Sequence, residues 1–167
     1  MALTQVPSGM IAPAQTLSLN GITFPATQVP SADANTLDDY EEGTWTATLT
    51  GGTTAPTTPI TTVISAYIKI GKLVTVIFNF NDVNTAGASG ALIVTGLPFA
   101  AAGSVAQVGC PPMLYNLPST GTYNVWYITS TTLNLYAINN GSSFNTESIS
   151  ASGTNKYIWS TVTYITG

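Results

Sequence analysis

The sequence predicts an all-β protein, a jelly-roll-like antiparallel β-sandwich preceded by an extended N-terminal arm. Three observations carry that expectation. From Trp45 onward large apolar and small polar residues alternate with period two, as in Trp45-Thr46-Ala47-Thr48-Leu49. Turn signals interrupt the alternation about every 10 residues, the spacing of short strands in two packed sheets. No segment keeps a helical period.

The arm spans residues 1–36 and the sandwich residues 37–167. Pro7, Pro13, Pro25 and Pro30 leave no room for a helix of ordinary length, because each removes a donor and restricts its predecessor. The arm is nonetheless apolar, with Val6, Met10, Ile11, Leu17, Leu19, Ile22, Phe24 and Val29. Leu17-Ser18-Leu19 and Ile22-Thr23-Phe24 flank Asn20-Gly21, a dipeptide suited to a hairpin turn. Such an arm should lie on a surface, of its own domain or of a neighbouring subunit.

Within the sandwich, Trp45 to Leu49 reads as the first strand, and Gly51-Gly52 to Pro59 as a loop. Ser65–Ile70 and Leu73–Phe80 form a hairpin about Gly71-Lys72, the second strand central and buried on both faces. Ala91–Thr95 stops at Gly96-Leu97-Pro98, and Ser104–Cys110 stops at Pro111-Pro112. Tyr123–Thr129 and Leu133–Ile138 make a second hairpin, followed by a turn at Asn139-Asn140-Gly141. A weak strand near Phe144–Ile149 and a strong one at Tyr157–Ile165 complete eight or so strands.

Charge is scarce. Lys, Arg, Asp and Glu make up 6% of the chain, against about 25% in an average globular protein. Solvent is therefore met by Thr, Ser, Asn and Gly, or the surface is covered by partners, sheet edges included. Three lysines (Lys69, Lys72, Lys156), no arginine and a net charge of −4 argue against nucleic acid, which needs several cations on one face. No run of about 18 apolar residues predicts a membrane span, and the N-terminal residues lack the features of a signal peptide. The single cysteine, Cys110, rules out an intrachain disulfide framework and reads as a buried, inert thiol.

Five of the seven acidic residues, Asp33, Asp38, Asp39, Glu41 and Glu42, fall between positions 33 and 42, where arm and sandwich join. Histidine is absent, which removes Ser-His-Asp and Cys-His nucleophiles and His-based metal sites. A glycosidase needs two carboxyl groups flanking a cleft, and beyond the cluster only isolated Asp82 and Glu147 remain. Calcium could use the clustered carboxylates with Asn35, but the EF-hand pattern fails: Leu37 and Asp38 occupy its third ligand and its glycine. The competing expectation is an acidic turn into the first strand, with Gly43 free to turn and Trp45 as first core anchor. Lys69 and Lys72, across a subunit boundary, are candidate counter-charges. No catalytic, cofactor or metal residue is assigned. Tyr115 and Tyr123, flanking the loop from Asn116 to Gly121, are the aromatics best placed to stack on a sugar. Asn140-Gly141-Ser142 fits a glycosylation acceptor, but the turn reading suffices.

The run Leu37-Asp38-Asp39-Tyr40-Glu41-Glu42-Gly43-Thr44-Trp45-Thr46 resembles a phrase that recurs in structural proteins of tailed bacteriophages. It is followed, as there, by Tyr67-Ile68-Lys69-Ile70-Gly71-Lys72-Leu73-Val74 and by Gly96-Leu97-Pro98-Phe99. Asn20-Gly21-Ile22-Thr23-Phe24-Pro25-Ala26 is similar to their lead-in. The likeness covers roughly residues 5–100; Ala47 stands where the family often has Pro, and residues 101–167 share only β character. It implies a virion component without enzymatic activity or cofactor, often a homotrimer. With no heptads and no shaft repeat, an arm on one β-domain suits a capsid decoration (cement) protein on the capsid surface, clamping the major capsid protein. The alternative is a tail-fibre or receptor-binding module that recognises host glycan.

Overall fold

A computed structural model describes residues 33, 37, 39–103, 107–109 (backbone only), 111–117, 119–141, 144–149 and 153–167. The predicted arm with its Asn20-Gly21 hairpin, Asp33 apart, lies outside them, as do Asp38 and Cys110. Among the described residues the structure is all-β, with twelve strands and no helix. In chain order these are β1 (Tyr40–Thr44), β2 (Thr48–Gly51), β3 (Ile60–Thr61), β4 (Ile64–Ile70), β5 (Leu73–Val83) and β6 (Leu92–Thr95). β7 (Gln107–Gly109), β8 (Met113–Tyr115), β9 (Tyr123–Thr129), β10 (Thr132–Ile138), β11 (Asn145–Thr146) and β12 (Lys156–Ile165) follow.

The strands form two antiparallel sheets that bury each other's inner faces. One is five-stranded in the order β1-β4-β5-β12-β8; the other is seven-stranded, β3-β2-β6-β10-β9-β7, with β11 extending β10's β6-side edge. Pleating assigns each residue to a face. On β5, Val74, Val76, Phe78 and Phe80 point into the core, and on β12 Ile158, Val162 and Tyr164 do the same. From the facing sheet come Leu49, Leu92, Val94, Trp126, Ile128, Leu133 and Leu135. Phe78 is the hub: Trp45, Phe80 and Trp126 meet its ring edge-on at centroid distances of 5.8, 5.9 and 5.7 Å. The Trp126 indole N–H, fully buried, donates to Ser160 Oγ at 2.8 Å, so the one polar atom of that ring is satisfied.

Both predicted hairpins form. Gly71 turns β4 into β5 at φ 55, a left-handed conformation that glycine adopts without the strain a side chain brings, and Ser130 turns β9 into β10 with φ 49. Three expectations are corrected. The first strand is Tyr40–Thr44, not Trp45–Leu49; Trp45, Thr46 and Ala47 instead carry the chain from one sheet to the other. β5 is central but buried on one face only, since Ile77 is 42% exposed on the other. Short strands β3 and β8 arise just beyond the loop that ends at Pro59 and the stop at Pro111-Pro112, where no strand is expected.

Candidate functional site

The acidic stretch is a strand, not a turn. β1 is the edge of the five-stranded sheet and pairs with β4 from Tyr40↔Ile70 to Thr44↔Ala66. Its three central residues, Glu41, Glu42 and Gly43, are poor strand formers; the strand is held by what β4 offers opposite it. Asp39, just ahead of the strand, is buried, forms an ion pair with the equally buried Lys69, and accepts the Gly71 N–H on its backbone carbonyl at 2.8 Å. The proposed counter-charge Lys69 thus belongs to the same chain rather than to a neighbour. Lys72 is exposed in the hairpin turn, where its carbonyl accepts the Thr166 N–H at 2.9 Å.

Alternation then separates the two glutamates. Glu41 shares a face with Lys69 and accepts the Tyr67 hydroxyl at 2.5 Å. That bond, followed by partial burial and the glutamate's charge, pushes the Tyr67 phenol up to about 12. Glu42 lies on the opposite face and accepts the Tyr40 hydroxyl at 2.7 Å, which raises that phenol as well. Gly43 does not turn the chain. It sits in the strand across from Tyr67, and a Cβ there would come within 2.9 Å of the phenol oxygen and 3.0 Å of the ring. The glycine leaves room for the ring that reaches Glu41.

Phe99 closes this corner. Its ring meets Tyr67 edge-on at 5.4 Å, and Lys69 Nζ lies 5.4 Å from its centroid. Gly96, at φ 92, passes so close to the Thr46 carbonyl that a Cβ would sit 2.3 Å from the oxygen. Trp45 Nε1 donates to the Ala66 carbonyl at 3.2 Å, and Ser65 Oγ donates to the Trp45 carbonyl. Residues 39–46 of the first phrase, with Tyr67–Val74 and Gly96–Phe99, far apart in sequence, therefore make one packed unit. Their chemistry is that of a joint: an ion pair, a phenol–carboxylate bond and two close approaches permitted by glycine.

With Asp39 committed to Lys69, and Glu41 and Glu42 on opposite faces, the described acidic residues do not converge. No group of three or more His, Cys, Asp or Glu among the described residues is placed to hold a metal. Asp33 and Leu37 are exposed. Of the isolated acids, Asp82 adopts φ 48 and accepts the Asn155 N–H at 2.8 Å, where the β5–β12 ladder slips between Lys156 and Ile158. Lys156 is buried beside it and donates to the Gly153 carbonyl at 3.1 Å.

Glu147 is the residue that sequence reasoning undervalued. It is 1% exposed, and its carboxylate accepts the Thr120 N–H at 2.6 Å, the Thr120 hydroxyl at 3.2 Å and the Asn124 amide at 3.1 Å. It fastens the loop ahead of β9 to the sandwich. Nothing local announces it, because its partners lie 23 to 27 residues away.

The tyrosines proposed for sugar stacking are both exposed: Tyr115 at the outer edge of β8, against Tyr157 at 5.8 Å, and Tyr123 at the start of β9. A longer aromatic row stands on the outer face of the seven-stranded sheet, where Tyr127 meets Tyr136 at 5.0 Å and Tyr136 meets Phe144 at 5.4 Å. Neither a protein-family model nor a curated protein sequence matches this chain.

Proposed function

We infer that the protein is a non-enzymatic bacteriophage virion component, a capsid decoration protein that clamps neighbouring capsid subunits through its N-terminal arm. The observation that carries the reading is the coincidence of motif and architecture. The three phrases that resemble phage structural proteins assemble into the corner from which the arm departs, beside the edge strand β1. A decoration protein needs such a joint, because pull on an arm must be borne by a rigid domain. An edge strand tied by a buried ion pair and the Glu41–Tyr67 bond supplies the anchorage. The scarcity of charge, with 6% Asp, Glu, Lys and Arg, suits a surface met by protein neighbours on a lattice.

Deleting residues 1–30 tests it. The truncated chain should keep its β circular dichroism and melting behaviour and lose binding to capsids stripped of the protein. Unchanged capsid binding by the truncated chain overturns the clamp.

A second reading, a tail-fibre module that recognises host surface carbohydrate, draws on the aromatic row of Tyr127, Tyr136 and Phe144, whose rings offer stacking faces. Immunogold labelling of intact virions separates the two. Label over the capsid supports decoration, and label confined to the tail supports the module.

A further inference from the structure

The outer face of the five-stranded sheet, the side turned away from the core, is unusually apolar. The outward positions of β4 and β5 include Ile64, Ile68, Ile70, Leu73 and Ile77; Trp159 on β12 and Met113 on β8 continue the surface. These side chains are each between 40 and 52% exposed. The other outward residues of β4, β5 and β12 are Ala, Thr, Asn, Tyr and Ile, and the carboxylates lie at the margins, Glu42 on the edge strand and the exposed Asp82 near the end of β5. We propose that this face is an interface at which copies of the chain meet.

Four features select a second copy as the occupant. The face is neutral across its centre, so laying it on itself brings no like charges together. It carries no lysine on the outward positions of β4, β5 and β12, and the single Lys72 of the β4–β5 turn at its margin is too few cations to hold a phosphate surface or an anionic membrane. It also holds both halves of a fit. Ile64, Ile68 and Ile70 form a ridge on one side of β5, and a hollow of about 400 Å³ lies on the other, between Ile77, Met113 and Trp159. The hollow is shallow and open, and a two-fold pairing of copies can set the ridge of one against the hollow of the other. Finally, the size is right. Five strands about 4.8 Å apart, of 5, 7, 11, 10 and 3 residues across the sheet, give a projected area on the order of 500 Å². Side-chain relief enlarges this toward the roughly 800 Å² per partner of a standard interface, and it lies at the upper end of the apolar patches that monomers leave open.

The inference does not rest on the virion reading and is tested apart from it, on the full chain free in solution. Sedimentation equilibrium should give a multiple of the 17.3 kDa chain mass. Ile64→Lys, in the ridge, and Ile77→Lys, at the margin of the hollow, should each reduce it to the monomer with unchanged far-ultraviolet circular dichroism. Asn134→Lys, on the outer face of the other sheet, should leave it unchanged. The proposal is overturned by a wild-type chain that is monomeric at every concentration reached, or by an oligomer indifferent to both isoleucine variants. A monomeric wild type whose Ile64→Lys and Ile77→Lys variants lose capsid binding also overturns it, and assigns the face to the capsid. A monomer whose isoleucine variants are instead destabilised overturns it in favour of coverage by residues 1–32 of the same chain.

Discussion

Replacing Lys69 by methionine probes the corner most directly. The substitution keeps most of the side-chain stem and its contact with Phe99 but removes the charge opposite Asp39. Both side chains are about one-tenth exposed, at 9% and 10%, so the orphaned carboxylate would remain largely out of water. Breaking such a buried pair by removing one partner costs about 3–5 kcal/mol. The residual exposure places this case toward the lower end. For a domain of this size each kcal/mol moves the melting temperature by roughly 3 °C, so Lys69→Met should melt about 10 °C below wild type. Asp39→Asn alone should also destabilise, because Lys69 is then left without its carboxylate. The Asp39→Asn/Lys69→Met double variant should recover a large part of the loss, since neither charge remains buried. Thermal unfolding followed by circular dichroism reads all four corners of the cycle. No measurable change in Lys69→Met, or a double variant as unstable as the sum of the singles, would refute the argument that the pair is buried and coupled.

Three further outcomes follow from the same geometry. Gly43→Ala pushes a methyl against the Tyr67 ring and should cost about 1–3 kcal/mol; adding Tyr67→Ala should cost less than the sum, measured by denaturant unfolding. Glu147→Ala removes the acceptor of the Thr120 N–H and the Asn124 amide, which solvent can partly replace, so the loss should be about 0.5–1.5 kcal/mol for each bond, and hydrogen exchange at Thr120 should quicken; unchanged protection would count against the latch. Tyr67 and Tyr164 are both raised to about 12, the first by the Glu41 bond and the second by burial, from an ordinary value of 10.0. A raised folded-state value means that their stabilisation is complete below pH 10 and is lost as pH climbs toward 12. Tyrosinate absorbance should therefore show a late-titrating fraction among the eight tyrosines, diminished in Tyr67→Phe, and simultaneous titration of all eight would exclude it.

Alternation was sufficient to read most of the sandwich, because β4, β5, β9, β10 and β12 each bury one face and leave the period visible. It misread β5 for a physical reason. Ile77 continues an apolar run, and composition cannot tell a second buried face from an apolar face left outside. β1 was illegible because Asp39-Tyr40-Glu41-Glu42 has the composition of a turn. It becomes a strand through Lys69 and Tyr67 on its neighbour, partners that only the fold brings near. Strands of two or three residues, such as β3 and β8, are too short to show any period.

Carboxylates adjacent in sequence invite the idea of a site because proximity along the chain suggests proximity in space. In a strand the reverse holds for neighbours, since the pleat sends consecutive side chains to opposite faces. Glu41 and Glu42 cannot both line one cleft while β1 remains paired with β4, and Asp39 is already neutralised at the strand's start. What the acidic stretch can do is discriminate. Asp39 finds Lys69 and Glu41 finds Tyr67 on β4, so the register of β1 on β4 is fixed by two distinct pairings, while Glu42 is met within β1 by Tyr40. A shift by one residue would move Glu41 to the outer face and bring Glu42 against the Lys69 side. An edge strand that bears an arm gains from this kind of specification, because slippage there would carry every contact of the arm with it. Asp39 and Glu41 thus act as a register lock on the anchorage of β1.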